Sequence, residues 1–118
     1  MPRDADNHSR ISLERIEGAS AVIDPVFLNT PQFECESLSE WIGSPVVIKV
    51  ESVNPIRSFK GRGACFYMST IPVGSEIHCA SAGNFGQAMA YAARARGVHV
   101  TVYAAHNASP LKRDSVRR

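Results

Sequence analysis

The sequence predicts an α/β fold in which βαβ units build a parallel sheet with its helices outside. Short strand-like runs at Pro45 to Val50, Ile77 to Ala80 and Val98 to Ala104, the first of them β-branched, alternate with helical patterns. The connections between these elements are short, which is how strands and covering helices alternate in parallel sheets. The first run is apolar almost throughout, as a strand covered on both faces has to be.

Taken in order, Met1 to Arg10 is polar and charged, the composition of a disordered start, and has no apolar core of an export signal. Leu13, Ile16, Ser20 and Ile23 recur at near-helical spacing behind Ser12, a good cap, so a first helix is expected to end before Asp24-Pro25. Asn29-Thr30-Pro31 reads as a turn or extended element, because proline fixes its own φ and pushes the preceding residue out of the helical region. Leu38 to Ile42 looks helical and is stopped by Gly43. After the first strand, Ser52-Val53-Asn54-Pro55 is a turn and Ser58 is placed to cap a helix running to about Ile71.

A second cycle follows. The strand Ile77 to Ala80 leads through the tight turn Ser81-Ala82-Gly83 into a helix with Phe85, Ala88, Met89 and Ala92 at i, i+3, i+4 and i+7. Gly97 closes that helix as a left-handed cap. The strand Val98 to Ala104 then leads to Ser109-Pro110, a cap followed by proline at the first helical position. The last helix reaches Val116-Arg117-Arg118 without a stop signal, so residues 11–118 are expected to be the amino-terminal part of one catalytic domain, incomplete at the carboxyl end.

With 118 residues, 44% hydrophobic and 20% charged, the chain has the composition of one modest globular core. Thirteen basic and 11 acidic residues leave a net charge of +2, too balanced to point to nucleic acid or a membrane surface. Arg94, Arg96, Lys112, Arg113, Arg117 and Arg118 read as a solvated helix face rather than a binding patch. No apolar run approaches the ~20 residues that span a bilayer. Cys35, Cys65 and Cys79 fit neither a C-x-x-C pair nor a metal-ligand spacing with the histidines, which points to reduced thiols in a soluble cytoplasmic protein and to no metal.

Two loops carry chemistry. Ser58-Phe59-Lys60-Gly61-Arg62-Gly63-Ala64 puts a lysine at a helix start between small neighbours that let a planar ligand approach. Arg57 and Arg62 nearby, together with partial burial, would favour the neutral amine that attacks an aldehyde. The same pattern also fits a solvated lysine or a phosphate contact. Ser81-Ala82-Gly83-Asn84-Phe85-Gly86-Gln87 is a strand-to-helix turn at the carboxyl end of a strand, where open α/β sheets place ligands and where free backbone N–H groups attract an anion. A capping turn in which Ser81 or Asn84 satisfies backbone donors explains the same residues.

Together the loops resemble the fold-type II pyridoxal-phosphate enzymes, with the tryptophan synthase β-like arrangement: threonine dehydratase, serine racemase, cysteine synthase and their relatives. The resemblance runs from Ile11-Ser12-Leu13 through Asn29-Thr30-Pro31 and Lys49-Val50-Glu51 to Ala108-Ser109-Pro110-Leu111-Lys112. It implies pyridoxal 5'-phosphate as cofactor, with Lys60 holding it as a Schiff base and later moving the α-proton, Phe59 beside the pyridine ring, and Asn84 on its phenolic oxygen. It implies that Ser81, Ala82, Gly83, Asn84 and Phe85 bind the substrate, with backbone N–H groups and the serine hydroxyl on its carboxylate.

The sequence is most similar to the threonine dehydratase and serine racemase branch, which implies dehydration and deamination of L-threonine or L-serine to a 2-oxo acid and ammonia. Racemases of that branch carry a serine where this chain has Ala82, and alanine accepts no proton, so dehydration is preferred. Phe85 stands where histidine is common. The family also uses a glycine-rich phosphate loop and a hydroxyl or thiol facing the pyridine nitrogen, and the eight glycines here are scattered at turns and caps. Weak or absent activity of this stretch alone is therefore expected. Oligomerisation of the full-length form is the expected assembly. A β-replacement enzyme of the cysteine synthase type and a non-catalytic interaction fragment are the alternatives.

Overall fold

The computed structural model describes residues 11–117; the disordered start expected for Met1 to Arg10, and Arg118, lie outside the described residues. Helix α1 spans Leu13–Ala19, with the Ser12 hydroxyl accepting from the Arg15 amide at 3.1 Å. It ends earlier than expected because the chain tightens after it, Ala21 N–H bonding Gly18 C=O and Val22 N–H bonding Ala19 C=O. No residue of α1 is buried, and of the expected apolar stripe Ile23, beyond its end, packs on the core.

A 3₁₀ turn at Pro25–Phe27 follows, capped by the Asp24 carboxylate, which accepts from the Val26 amide at 3.0 Å. This turn drives Phe27 into the core, where it is 0% exposed. Strand β1, Gln32–Glu34, pairs antiparallel with β2, Val47–Lys49, in the register Gln32↔Lys49, Phe33↔Ile48 and Glu34↔Val47. Between them lies α2, Glu36–Ile42, closed by Gly43 at φ 75°.

The β-branched run around β2 was expected in the parallel sheet with both faces covered, and that expectation is corrected. β2 belongs to a separate two-stranded sheet and Val47 is exposed. The chain folds back after Pro31, whose carbonyl accepts from the Val50 amide at 2.8 Å, and the ladder continues to Cys35 N–H on Val46 C=O at 2.9 Å. Lys49 is drawn in to the carbonyls of Leu28 and Thr30, both at 3.1 Å, so its amine serves the fold-back.

The α/β unit proper is α3 (Lys60–Ser69), β3 (Glu76–Ala80), α4 (Asn84–Arg96) and β4 (His99–Tyr103), with β3 and β4 parallel from Glu76↔His99 to Ala80↔Tyr103. Helix α5, Pro110–Arg117, packs along α4. Ala64, Met68, Ala88, Met89, Ala92 and Ala93 join Phe27 and Val98 in one core, the small side chains letting α3 and α4 approach closely. Gly97, at φ 65°, ends α4 as the sequence leads one to expect. Among the described residues no helix is long and apolar enough to cross a membrane, and Cys35, Cys65 and Cys79 are free thiols.

Candidate functional site

The approach to α3 is built by one side chain. Asn54, 4% exposed, accepts from the amides of Ile56 and Ser58 and donates to the Ser58 carbonyl and the Glu51 carboxylate. The loop it closes contains Arg57 at φ 53°, a left-handed conformation that costs a residue with a Cβ about 1–2 kcal/mol. Arg57→Gly is therefore expected to stabilise the chain by about 1 kcal/mol, read as a higher urea midpoint. The expected cap at Ser58 is corrected by one residue: Phe59 stands at the cap position of α3 with no side-chain bond, and the Ser58 hydroxyl, just before it, closes a local turn by accepting from the Lys60 amide at 3.2 Å.

Lys60 stands at the first position of α3 and lines a hollow of about 450 Å³ with Tyr67, Ile77, Cys79, Phe85 and Met89. The lysine is exposed, so the expected partial burial is not provided by these residues. Its amine lies 5.0 Å from the centroid of the Phe59 ring, and Phe59 itself is exposed. The like charge expected from Arg62 is also spoken for: its guanidinium donates to Glu51 at 2.6 Å and to the Phe27 carbonyl at 3.1 Å. Arg57 faces a different hollow. Burial pushes the Cys79 thiol up from its ordinary value, which keeps it protonated and a poor competitor of the lysine for an aldehyde.

At the bend after β3, the Ser81 hydroxyl accepts from the amides of Gly83 at 3.2 Å and Gly86 at 3.0 Å. This is the capping role weighed above, and it leaves the hydroxyl proton to donate. The amides of Asn84 and Phe85, the first two of the 13-residue α4, bond no acceptor among the described residues and point out of the positive end of the helix. Phe85 lines the Lys60 hollow, Gly83 and Asn84 line a second with Arg57 and Tyr91, and Ser81 and Ala82 line a third. Lys60 thus meets the bend through Phe85, and Asn84 does not share its hollow.

Gly86 seats the helix start, for a Cβ there would meet the Ser81 carbonyl oxygen and Val102 Cγ1 at 3.0 Å. Gly86→Ala is expected to cost about 1–3 kcal/mol, measurable by thermal denaturation.

The residues present suit a flat aromatic aldehyde. An accessible primary amine opens onto apolar and aromatic walls, and at Gly63 the place of a Cβ has nothing within 4 Å, so a ring meets no obstruction there. An α/β unit with a lysine opening a helix beside an anion-seeking helix terminus defines a class. Residues 23–118 match the family model described as pyridoxal-phosphate dependent enzyme, and the chain belongs to this family.

The chain is 36% identical over 110 residues to the biosynthetic L-threonine dehydratase of Mycobacterium leprae, an alignment covering 91% of this chain and 26% of that protein. It is 40% identical over 81 residues to the human serine dehydratase-like protein, covering 67% of this chain and 25% of that one. Among solved structures it resembles serine racemase from Dictyostelium discoideum, with a TM-score of 0.73, 27% identity and coverage of 91% of this chain and 36% of that chain. It also resembles threonine deaminase isoform 2 from Solanum lycopersicum, with a TM-score of 0.68, 27% identity and coverage of 91% and 32%. The chain thus spans about a quarter of the length of these curated relatives.

Sequence reasoning left out the supports of Lys60. Glu51 accepts from Arg62, Asn54 and, at 3.1 Å, the Thr30 hydroxyl, tying three segments to the helix start. The available signal was a carboxylate two residues beyond Lys49 and eleven before Arg62 at the ends of a strand and a helix, which no spacing rule pairs.

Proposed function

We propose that this chain provides the lysine side of a pyridoxal-phosphate site in an ammonia-lyase that dehydrates L-threonine or L-serine to a 2-oxo acid and ammonia. One observation carries the reading: the exposed Lys60 amine and Phe85 line one hollow, and Phe85 belongs to a helix start whose first two amides bond no acceptor among the described residues. Bound pyridoxal phosphate supplies the electron sink that makes an α-proton removable. Lys60 binds the cofactor covalently through its amine and moves that proton at Nζ, with Phe59 beside the ring. Asn84, which lines the hollow of Arg57 and Tyr91, would have to turn toward Lys60 to hold the cofactor's phenolic oxygen as the resemblance implies.

The Asn84 and Phe85 amides and the Ser81 hydroxyl bind the substrate carboxylate, with Ala82 and Gly83 shaping the bend. Ala82 offers no base on the opposite face, so the reading is a dehydratase and not a racemase. The free thiols support a cytoplasmic setting, and a homo-oligomer is the assembly proposed for the full-length form.

Protection separates the substrates. The chain is treated with pyridoxal phosphate and borohydride, with and without competing amino acids, and the label on Lys60 is quantified by mass spectrometry. L-threonine and L-serine are expected to lower that label more than their D-enantiomers do. Equal protection by both enantiomers, or protection by O-acetylserine alone, would overturn the dehydratase reading, the latter in favour of β-replacement.

A further inference from the structure

Lys60 is the first residue of α3, so the direction of its side chain is set by the turn that delivers it, and that turn is not a favourable one. Arg57 sits at φ 53°, and something has to hold it there. Asn54 is the group in place to do so. Its amide oxygen accepts from Ile56 N–H and Ser58 N–H, both at 3.2 Å, and its amide nitrogen donates to the Ser58 carbonyl at 2.9 Å and to Glu51 Oε2 at 3.0 Å. These four bonds use the full capacity of a primary amide. Ser58 is held by both its N–H and its C=O, and its hydroxyl in turn accepts from the Lys60 amide. The other end of the chain of contacts is anchored by Glu51 on Arg62, in the first turn of α3 on the side of Phe27.

We infer that Asn54 is a positioning residue for Lys60: its buried, saturated amide locks the strained loop and so aims the lysine amine into the aromatic hollow. The inference rests on the reading of Lys60 as the cofactor lysine. It goes beyond that reading in assigning the aim of the amine to a residue that touches neither cofactor nor substrate. A satisfied buried network of this kind fixes one conformation, and a displacement of the amine by about 1 Å is enough to slow its chemistry by one to two orders of magnitude. Asparagine is needed at this position because aspartate, nearly the same size, lacks both donors and sets a second carboxylate against Glu51 and the Ser58 carbonyl.

The chain offers an internal control, since its lysines are Lys49, Lys60 and Lys112. Lys49 is bonded to two carbonyls, whereas Lys112 is exposed on α5 and lines the hollow that holds Arg57, not the one that holds Lys60. Each accessible amine condenses with the aldehyde of pyridoxal phosphate with loss of water, and borohydride delivers hydride to the resulting C=N bond to leave a stable secondary amine. The rate of labelling at Lys60 relative to Lys112 therefore reports the setting of Lys60 and cancels changes in reagent.

Asn54→Asp is expected to lower that ratio by about tenfold with the Lys112 rate unchanged, in protein shown folded by circular dichroism at the labelling temperature. If Asn54→Asp does not fold, Asn54→Ser, which keeps a short acceptor for Ile56 N–H, is expected to lower it in the same direction. An unchanged ratio in a folded variant overturns the inference while leaving the role of Lys60 intact. A ratio near one in the unaltered chain overturns the reading of Lys60 itself, and the inference with it.

Discussion

Lys60→Ala is expected to remove the covalent attachment of pyridoxal phosphate to the folded chain, dropping borohydride-trapped label at the α3 start to nothing and the total to what Lys112 and the chain's terminal amine take up. The effect is all or none because it removes the nucleophile and not a contact that tunes it. Lys60→Arg gives the same loss, since a guanidinium stays protonated and forms no such bond, although it preserves the cation over the Phe59 ring. The fold is expected to survive either change: the lysine is exposed and its side chain contributes no hydrogen bond among the described residues. Difference absorbance of bound cofactor, together with circular dichroism, measures both halves of this statement. Retention of wild-type label in Lys60→Ala would remove the lysine from the site.

The largest effect on stability belongs to Phe27→Ala, expected to cost about 3–5 kcal/mol by urea denaturation. Against a typical domain stability of about 5–15 kcal/mol, that is enough to leave the chain partly unfolded. Phe27 is fully buried, meets Tyr91 edge-on with centroids 5.4 Å apart, and lies so close to Gly61 that a Cβ there would stand within 2.7 Å of three of its ring atoms. The segment that carries it is tied down at both ends. Tyr91 donates its hydroxyl to Asp24 at 3.2 Å, and Lys49 holds the carbonyls of Leu28 and Thr30. Burial, and then the Asp24 carboxylate, push the Tyr91 hydroxyl up from its ordinary value, so it remains a donor through neutral pH. Losing the ring would also free Gly61, and so loosen the turn on which Lys60 rides.

Much of this was legible in the residues. The cap at Ser12, the glycine stops at Gly43 and Gly97, and the period of Ala88, Met89 and Ala92 each follow from local chemistry that the surrounding fold does not override. The parallel pair β3 and β4 follows in the same way from two short strand-like runs joined by one amphipathic helix.

What was not legible is tertiary. Strand β1 is three residues, two of them charged or polar, and exists because Pro31 and Lys49 fold the chain back onto β2. An apolar run reads the same in a central strand as in a two-stranded ribbon, so β2 was assigned to the wrong sheet. The small neighbours of Lys60 read as room for a planar ligand, yet only Gly63 leaves that room, since Gly61 makes way for the Phe27 ring. The positive φ of Arg57 had no sequence signal, since arginine is an unfavourable choice there.

The account turns on the Lys60 amine being the one this fold presents to an aldehyde. Peptide mapping of the unaltered chain after brief exposure to substoichiometric pyridoxal phosphate and borohydride asks this directly. The account predicts label concentrated on the peptide containing Lys60, in clear excess over Lys112 and with Lys49 unmodified. Label shared evenly between Lys60 and Lys112, or found mainly on Lys112, would contradict it.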